Sequence, residues 1–147
     1  MSSVAAGYHR ILGLDYGTKT VGVAISDPLL ITAQELETIK REKPKALRAT
    51  LRRIAEICEE YGVEKIVLGL PLLPSGDEGE RALATREFMT SLSERVNVPI
   101  ILQNESYTTV AADEILEESG IDKRDRKKVI DQIAAAIILQ EYLDNRR

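Results

Sequence analysis

Asp15-Tyr16-Gly17-Thr18-Lys19-Thr20-Val21-Gly22 places an acid at the end of an apolar run and follows it at once with a glycine-punctuated turn. Upstream, Ile11-Leu12-Gly13-Leu14 reads as a buried strand, and downstream Val21-Gly22-Val23-Ala24-Ile25 reads as another. The segment therefore predicts a hairpin with a carboxylate at its mouth. Strand alternation puts Asp15 on the face shared by Ile11 and Gly13, where a core would otherwise continue. An unpartnered carboxylate there is costly, so the position calls for a partner, and a metal ion suits it. An Asp that only caps the turn before Gly17 satisfies the same pattern. Other acids must decide.

The chain has 147 residues, 44% of them hydrophobic and 30% charged, enough for one domain with a full core and no staples. We expect a single domain over residues 8–147 and a flexible tail over residues 1–7, because Met1 to Gly7 lacks the basic start and apolar stretch of a secretion signal. No apolar run approaches the ~20 residues that span a bilayer, so no membrane partner is expected. Cys58 is the only cysteine, which excludes a disulfide framework and a thiolate metal cluster and fits a reducing cytoplasm.

A net charge of −4 argues against indiscriminate nucleic-acid binding, which needs clustered Lys and Arg. Basic residues do concentrate locally. Lys40-Arg41-Glu42-Lys43-Pro44-Lys45 and the set Arg48, Arg52 and Arg53 read as solvated faces. Lys123, Arg124, Lys127 and Lys128 are more suggestive, because they immediately precede a third acid of interest.

The coarse order is β-β-β, then α-β-α-β-α, with the last helical stretch read as two segments. A third strand is expected within residues 31–39. Helix one is expected from about Pro44 to Tyr61, with Leu47, Leu51, Ile54, Cys58 and Tyr61 recurring at threes and fours and Gly62 stopping it. Lys65-Ile66-Val67-Leu68-Gly69-Leu70-Pro71 reads as a parallel strand buried on both faces. Residues 72–79 read as a loop, 80–96 as helix two and 99–103 as the last strand. Thr108 or Thr109 caps a helix reaching Glu118, Gly120 ends it, and a final helix runs over about residues 126–143.

Two further acids stand out. Glu105 lies just past the carboxyl end of the last strand, where ligand crevices form in open α/β sheets; an ordinary loop glutamate fits as well. Asp131 stacks above Ala134, Ala135, Ile138 and Tyr142, so it continues an apolar stripe, although an acid favouring a helix N-terminus would also stand there. Taken together, Asp15, Glu105 and Asp131 form an oxygen-only donor set that favours Mg²⁺ or Mn²⁺ over zinc. Such ions support phosphodiester hydrolysis. Lys19 in the first turn and Arg81 at the start of helix two are candidate phosphate contacts, as are Lys123, Arg124, Lys127 and Lys128.

Leu12 to Ala24, Ile66 to Pro71, Glu105 with Thr108-Thr109-Val110-Ala111-Ala112, and Asp131 with Ala134 to Leu139 resemble the YqgF family, in the same order and across residues 10–143. These are Holliday-junction-resolvase-like proteins of the ribonuclease H-like superfamily. The resemblance implies an α/β, ribonuclease H-like fold with a five-stranded mixed sheet flanked by helices. It further implies a divalent-metal site of Asp15, Glu105 and Asp131, and a nuclease that matures the 5′ end of 16S ribosomal RNA. Precursor ribosomal RNA and the small ribosomal subunit are then the expected partners, with branched DNA as the alternative substrate.

The chain departs from the family pattern in two loops. Asn104-Glu105-Ser106 stands where the family commonly has Asp-Glu-Arg, and Leu72-Leu73-Pro74-Ser75-Gly76 stands where Asn and Asp-Gly are common. These departures keep a non-catalytic nucleic-acid-binding or ribosome-assembly module in play. The Asp15 hairpin also resembles the phosphate loop of actin-like ATPases, which pair two such lobes.

Overall fold

The computed structural model describes residues 9–43, 46–105, 118, 120 and 122–146, except for the side chains of residues 123, 124 and 126–132. Among the described residues five strands and three helices follow one another: β1 (Arg10–Tyr16), β2 (Thr20–Ser26), β3 (Ala33–Lys40), α1 (Arg48–Tyr61), β4 (Val63–Leu70), α2 (Glu80–Ser93), β5 (Ile100–Asn104) and α3 (Lys123–Asn145). The sheet order is β3-β2-β1-β4-β5. β1 pairs antiparallel with β2 and parallel with β4, and β4 pairs parallel with β5. This is the expected mixed sheet: a hairpin meander on one side and two crossover strands on the other.

The two faces bury different residues of the same strands. Leu12, Leu14, Ile66 and Leu68 pack with Leu51, Ile54 and Ile57 of α1 and Phe88 and Leu92 of α2. Ile11 and Val67, on the opposite face by strand alternation, pack with Ala135, Ile138, Leu139 and Leu143 of α3. The helix comes very close to β1. A Cβ on Gly13 would lie 2.7 Å from Leu139 Cβ and 3.0 Å from the Ala135 carbonyl oxygen, so a side chain there would collide with α3. Asp15 belongs to this α3 face, as alternation from Ile11 and Gly13 requires.

Several boundaries shift from expectation. α1 begins at Arg48, with Leu47 as its N-cap, while Pro44, where it was expected to start, lies outside the described residues. α2 ends at Ser93 because the Glu94 and Arg95 N–H groups tighten back onto Ser91 and Leu92. α3 is continuous and longer at both ends than the expected residues 126–143. Gly62 closes α1 in the left-handed region, with φ 63° and ψ 44°, as its position predicted. Gly120 is also left-handed at φ 74°, but the helix expected from Thr108 or Thr109 lies almost wholly outside the described residues. So does the expected tail over residues 1–7. The described residues hold one sheet, and among them no helix is long and apolar enough to cross a membrane.

Candidate active site

β1 and β4 run in register from Ile11 opposite Lys65 to Leu14 opposite Leu68. One residue further along each strand are Asp15 and Gly69. On β4's other side Leu70 pairs with Asn104, and the Glu105 N–H donates to the Leu70 carbonyl at 3.1 Å. Asp15 and Glu105 therefore issue from the carboxyl ends of two strands that flank β4. Gly69 leaves room between them: a Cβ there would fall 2.9 Å from Glu105 Oε2 and 2.5 Å from Ile138 Cδ1. The Glu105 carboxylate thus lies over the α3 face of the sheet, the face Asp15 occupies.

The electrostatics report the same pairing. Burial first, and the negative charge of Asp15 second, push the Glu105 pKa up from 4.5 to about 8, while Arg81 opposes them. Two carboxyl groups held close in a partly buried site compete for neutralisation. A cation placed between them removes both penalties, and an all-oxygen donor set suits a hard divalent ion. Among the described residues no group of three or more His, Cys, Asp or Glu side chains stands in metal-holding geometry. The Asp131 side chain, expected as the third ligand, lies outside the described residues.

The main chain of Asp131 is nevertheless within α3. That helix runs opposite to β4, since Lys65 Nζ donates to the Tyr142 hydroxyl near the strand's start and Ile138 meets Gly69 near its end. The turns of α3 before Ile138 consequently extend toward the strand ends that carry Asp15 and Glu105. Lys123, Arg124, Lys127 and Lys128 occupy its first two turns, and their side chains also lie outside the described residues.

Of the two single cations singled out in the sequence, Arg81 is at the acids and Lys19 is at the hairpin tip. Arg81 donates to the Tyr16 carbonyl at 2.6 Å, one residue from Asp15, and its charge acts on Glu105. Lys19 is exposed, and its carbonyl accepts the Arg41 N–H at 2.7 Å.

Arg41, read from sequence as part of a solvated basic stretch, is instead 6% exposed. Its Nη2 donates to the carbonyls of Gly17 and Thr18 at 2.7 and 2.6 Å, and its guanidinium carbon lies 4.7 Å from the Tyr16 ring centre. Phe88 stacks on the same ring at 4.2 Å, with an interplanar angle of 10°. The turn after Asp15 is thereby fastened to β3 and α2. Burial lowers the Arg41 pKa from the usual arginine value. The available sequence signal was strand register: Lys40 pairs with Thr20 at the end of β3, so the next residue falls beside the β1–β2 turn.

Cys58 is far from this chemistry. It lines a cavity of about 420 Å³ with Val63 and Val98, at the opposite end of β4, and burial pushes its thiol up to about 11. Such a thiol is inert as a nucleophile at neutral pH.

Residues 9–145 match the family described as "RuvX: Holliday junction resolvase". A protein of Agathobacter rectalis named "Putative pre-16S rRNA nuclease" is 53% identical over 135 residues, which cover 92% of this chain and 94% of that protein. A Moorella thermoacetica protein of the same name is 49% identical over 135 residues, with the same coverage of 92% and 94%. Among solved structures, T. thermophilus RuvC in complex with Holliday junction substrate superposes with a TM-score of 0.56 at 15% identity, covering 94% of this chain and 95% of that one. The fowlpox virus Holliday junction resolvase does so with a TM-score of 0.51 at 19% identity, covering 92% and 99%. At these identities the structural likenesses establish the ribonuclease H-like fold alone. The sequence matches establish more: the chain belongs to the RuvX family, the YqgF family that its motifs resemble.

Proposed function

We propose that this protein is a metal-dependent nuclease that hydrolyses phosphodiester bonds of precursor 16S ribosomal RNA in the cytoplasm. The observation that carries the reading is the half-buried Glu105 carboxylate, held beside Asp15 at the strand ends and raised to about 8 by burial and by the charge of Asp15. Two competing carboxylates at a crevice are poorly suited to a structural role and well suited to holding a cation. Membership of a nuclease family and relatives named for pre-16S rRNA support the substrate.

In this reading Asp15 and Glu105, with Asp131 from α3, would hold Mg²⁺ or Mn²⁺, which when bound would supply stabilisation of the charge that develops on the phosphate during hydrolysis. Arg81, fixed by the Tyr16 carbonyl, stands beside the acids as a cation for the substrate backbone. Lys123, Arg124, Lys127 and Lys128 guide that backbone from the start of α3, and Lys19 meets it at the hairpin tip.

The deciding experiment offers a precursor 16S rRNA fragment and a four-way DNA junction side by side, with Mg²⁺, Mn²⁺ or EDTA. The expected result is metal-dependent cleavage of the RNA by the wild type, lost in Asp15→Asn and Glu105→Gln. Full cleavage by Asp15→Asn, in a preparation cleared of contaminating nucleases, would overturn the assignment. Cleavage of the junction alone would transfer the activity to branched DNA.

A further inference from the structure

The loop after β4 is where the sequence replaces the family's common polar residues with Leu72-Leu73-Pro74. It is a built structure: Leu73 N–H donates to the Asp77 carbonyl at 2.8 Å, and Gly76 N–H donates to the Leu73 carbonyl at 2.8 Å, with Gly76 at φ 90°. A Cβ on Gly79 would lie 3.0–3.3 Å from the end of the Leu73 side chain, so that side chain is seated against the start of α2. Arg86 clamps Glu78 through both carboxylate oxygens, at 2.6 and 2.9 Å. Where this loop meets the start of α2 lies a mainly apolar cavity of about 530 Å³ lined by Pro71, Leu72, Leu73, Gly79, Glu80 and Arg81. Leu73 remains 48% exposed.

Arg81 ties this cavity to the acids. It lines the cavity, bonds the Tyr16 carbonyl next to Asp15, and acts on Glu105. The other charge in the lining is the Glu80 carboxylate, which repels phosphate. The charges thus divide a nucleotide in a definite way, with its anionic group toward Arg81 and the acid pair and its neutral part toward the leucines.

The geometry points to a nucleobase subsite: the cavity beside Arg81 takes one unstacked base of the substrate strand, positioning the attached backbone at Asp15 and Glu105. The inference rests on the nuclease reading and adds to it a contact with a base. It also gives the leucine-rich loop a function. An unpaired base presents apolar faces that gain from leaving water, whereas a duplex keeps them stacked. The site therefore selects single-stranded or locally opened nucleic acid at one position.

The test uses a single-stranded precursor 16S rRNA fragment in which an abasic ribose replaces one nucleotide at a time on both sides of the mapped cut. Cleavage is followed in single turnover over a range of enzyme concentrations, giving half-saturation and maximal rate separately. For the wild type, one position should raise half-saturation about five- to tenfold and leave the maximal rate within about twofold. Leu73→Asn should weaken the intact RNA by a similar factor, and the abasic position should then add nothing further. Leu73→Ala, which trims the contact without adding polarity, guards against a folding effect of the first variant and should give the same non-additivity.

A wild-type scan with no sensitive position would overturn the subsite. So would unchanged half-saturation in Leu73→Asn, or variant and abasic effects that multiply. Wild-type behaviour no different from Asp15→Asn would instead remove the nuclease reading, and the subsite with it. If only the DNA junction is cut, the same scan is made on the junction with abasic deoxyribose, and the same outcomes decide.

Discussion

The carboxylate of Glu105 occupies the space that a side chain on Gly69 would need: a Cβ on Gly69 would stand 2.9 Å from Glu105 Oε2 and 2.5 Å from Ile138 Cδ1. Gly69 thus permits both the close approach of α3 and the placement of an acid over β4. Gly69→Ala should cost about 1–3 kcal/mol of stability through overpacking. It should also slow single-turnover cleavage more than it weakens RNA binding, because it displaces the acid and not the basic residues. Urea unfolding and cleavage at saturating enzyme check both parts. Full activity in Gly69→Ala would show that the position of Glu105 is not critical.

The raised Glu105 pKa makes stability depend on pH in a definite direction. Burial and Asp15 raise it from 4.5 to about 8 in the fold. The folded protein therefore holds a proton that the unfolded chain releases, and this contribution is complete below 4.5 and lost as pH rises through about 8. In EDTA, the Tm of the wild type should fall across that window more steeply than that of Glu105→Gln. Asp15→Asn should move the Glu105 titration down, and Arg81→Ala should move it up. Parallel Tm curves for wild type and Glu105→Gln would refute the assignment.

A divalent ion should relieve the same repulsion, so Mn²⁺ or Mg²⁺ should raise the Tm in proportion to its binding to the folded state. The wild-type shift should grow as pH rises through about 8, where Glu105 gives up its proton, and should be nearly absent in the double variant Asp15→Asn, Asp131→Asn. The double variant also tests Asp131, whose α3 position extends toward the acids. Equal shifts in the two proteins would remove Asp15 and Asp131 as ligands.

The site was legible in sequence where it depends on strand periodicity. Asp15 interrupts an alternating apolar face, and Glu105 follows directly on a half-buried apolar strand, so both could be placed at strand ends from one-dimensional pattern. Arg41 and Gly69 were not legible in the same way. Arg41 sits among lysines, and its burial follows from a cross-strand register that brings the end of β3 to the β1–β2 turn. Gly69 looks like one more small residue in an apolar run until the Glu105 and Ile138 side chains are seen filling its missing Cβ. Both residues act through contacts between segments distant in the chain, which local spacing does not encode.

Arg41 should accordingly be important for stability. Replacing it by Met removes two charge-assisted hydrogen bonds, to Gly17 and Thr18, and the contact with the Tyr16 ring. The expected loss is about 2–3 kcal/mol, measured by urea unfolding. Arg41→Lys should recover only part of it, because an ammonium does not reproduce the planar guanidinium lying over the Tyr16 ring. A loss as small as that of an exposed lysine, such as Lys19→Ala, would contradict the clamp.

The basic residues at the start of α3 should govern binding and not turnover. Phosphate contacts by Lys123, Arg124, Lys127 and Lys128 would release counterions from the RNA, each adding about 0.7 to the salt slope for a single strand. Neutralising all four should weaken binding, reduce the slope by about 1–3, and leave the single-turnover rate at saturating enzyme within a few-fold of wild type. Asp131→Asn should do the reverse, keeping the salt slope while the saturated rate falls by about a hundredfold or more, as expected when a group acts on transition-state charge. Binding measured across a salt series, together with single-turnover cleavage of the same precursor RNA, separates the two effects. An unchanged salt slope after neutralisation would remove the four cations from the RNA path, and a collapsed rate at saturation would move them from guiding the backbone to the reacting centre.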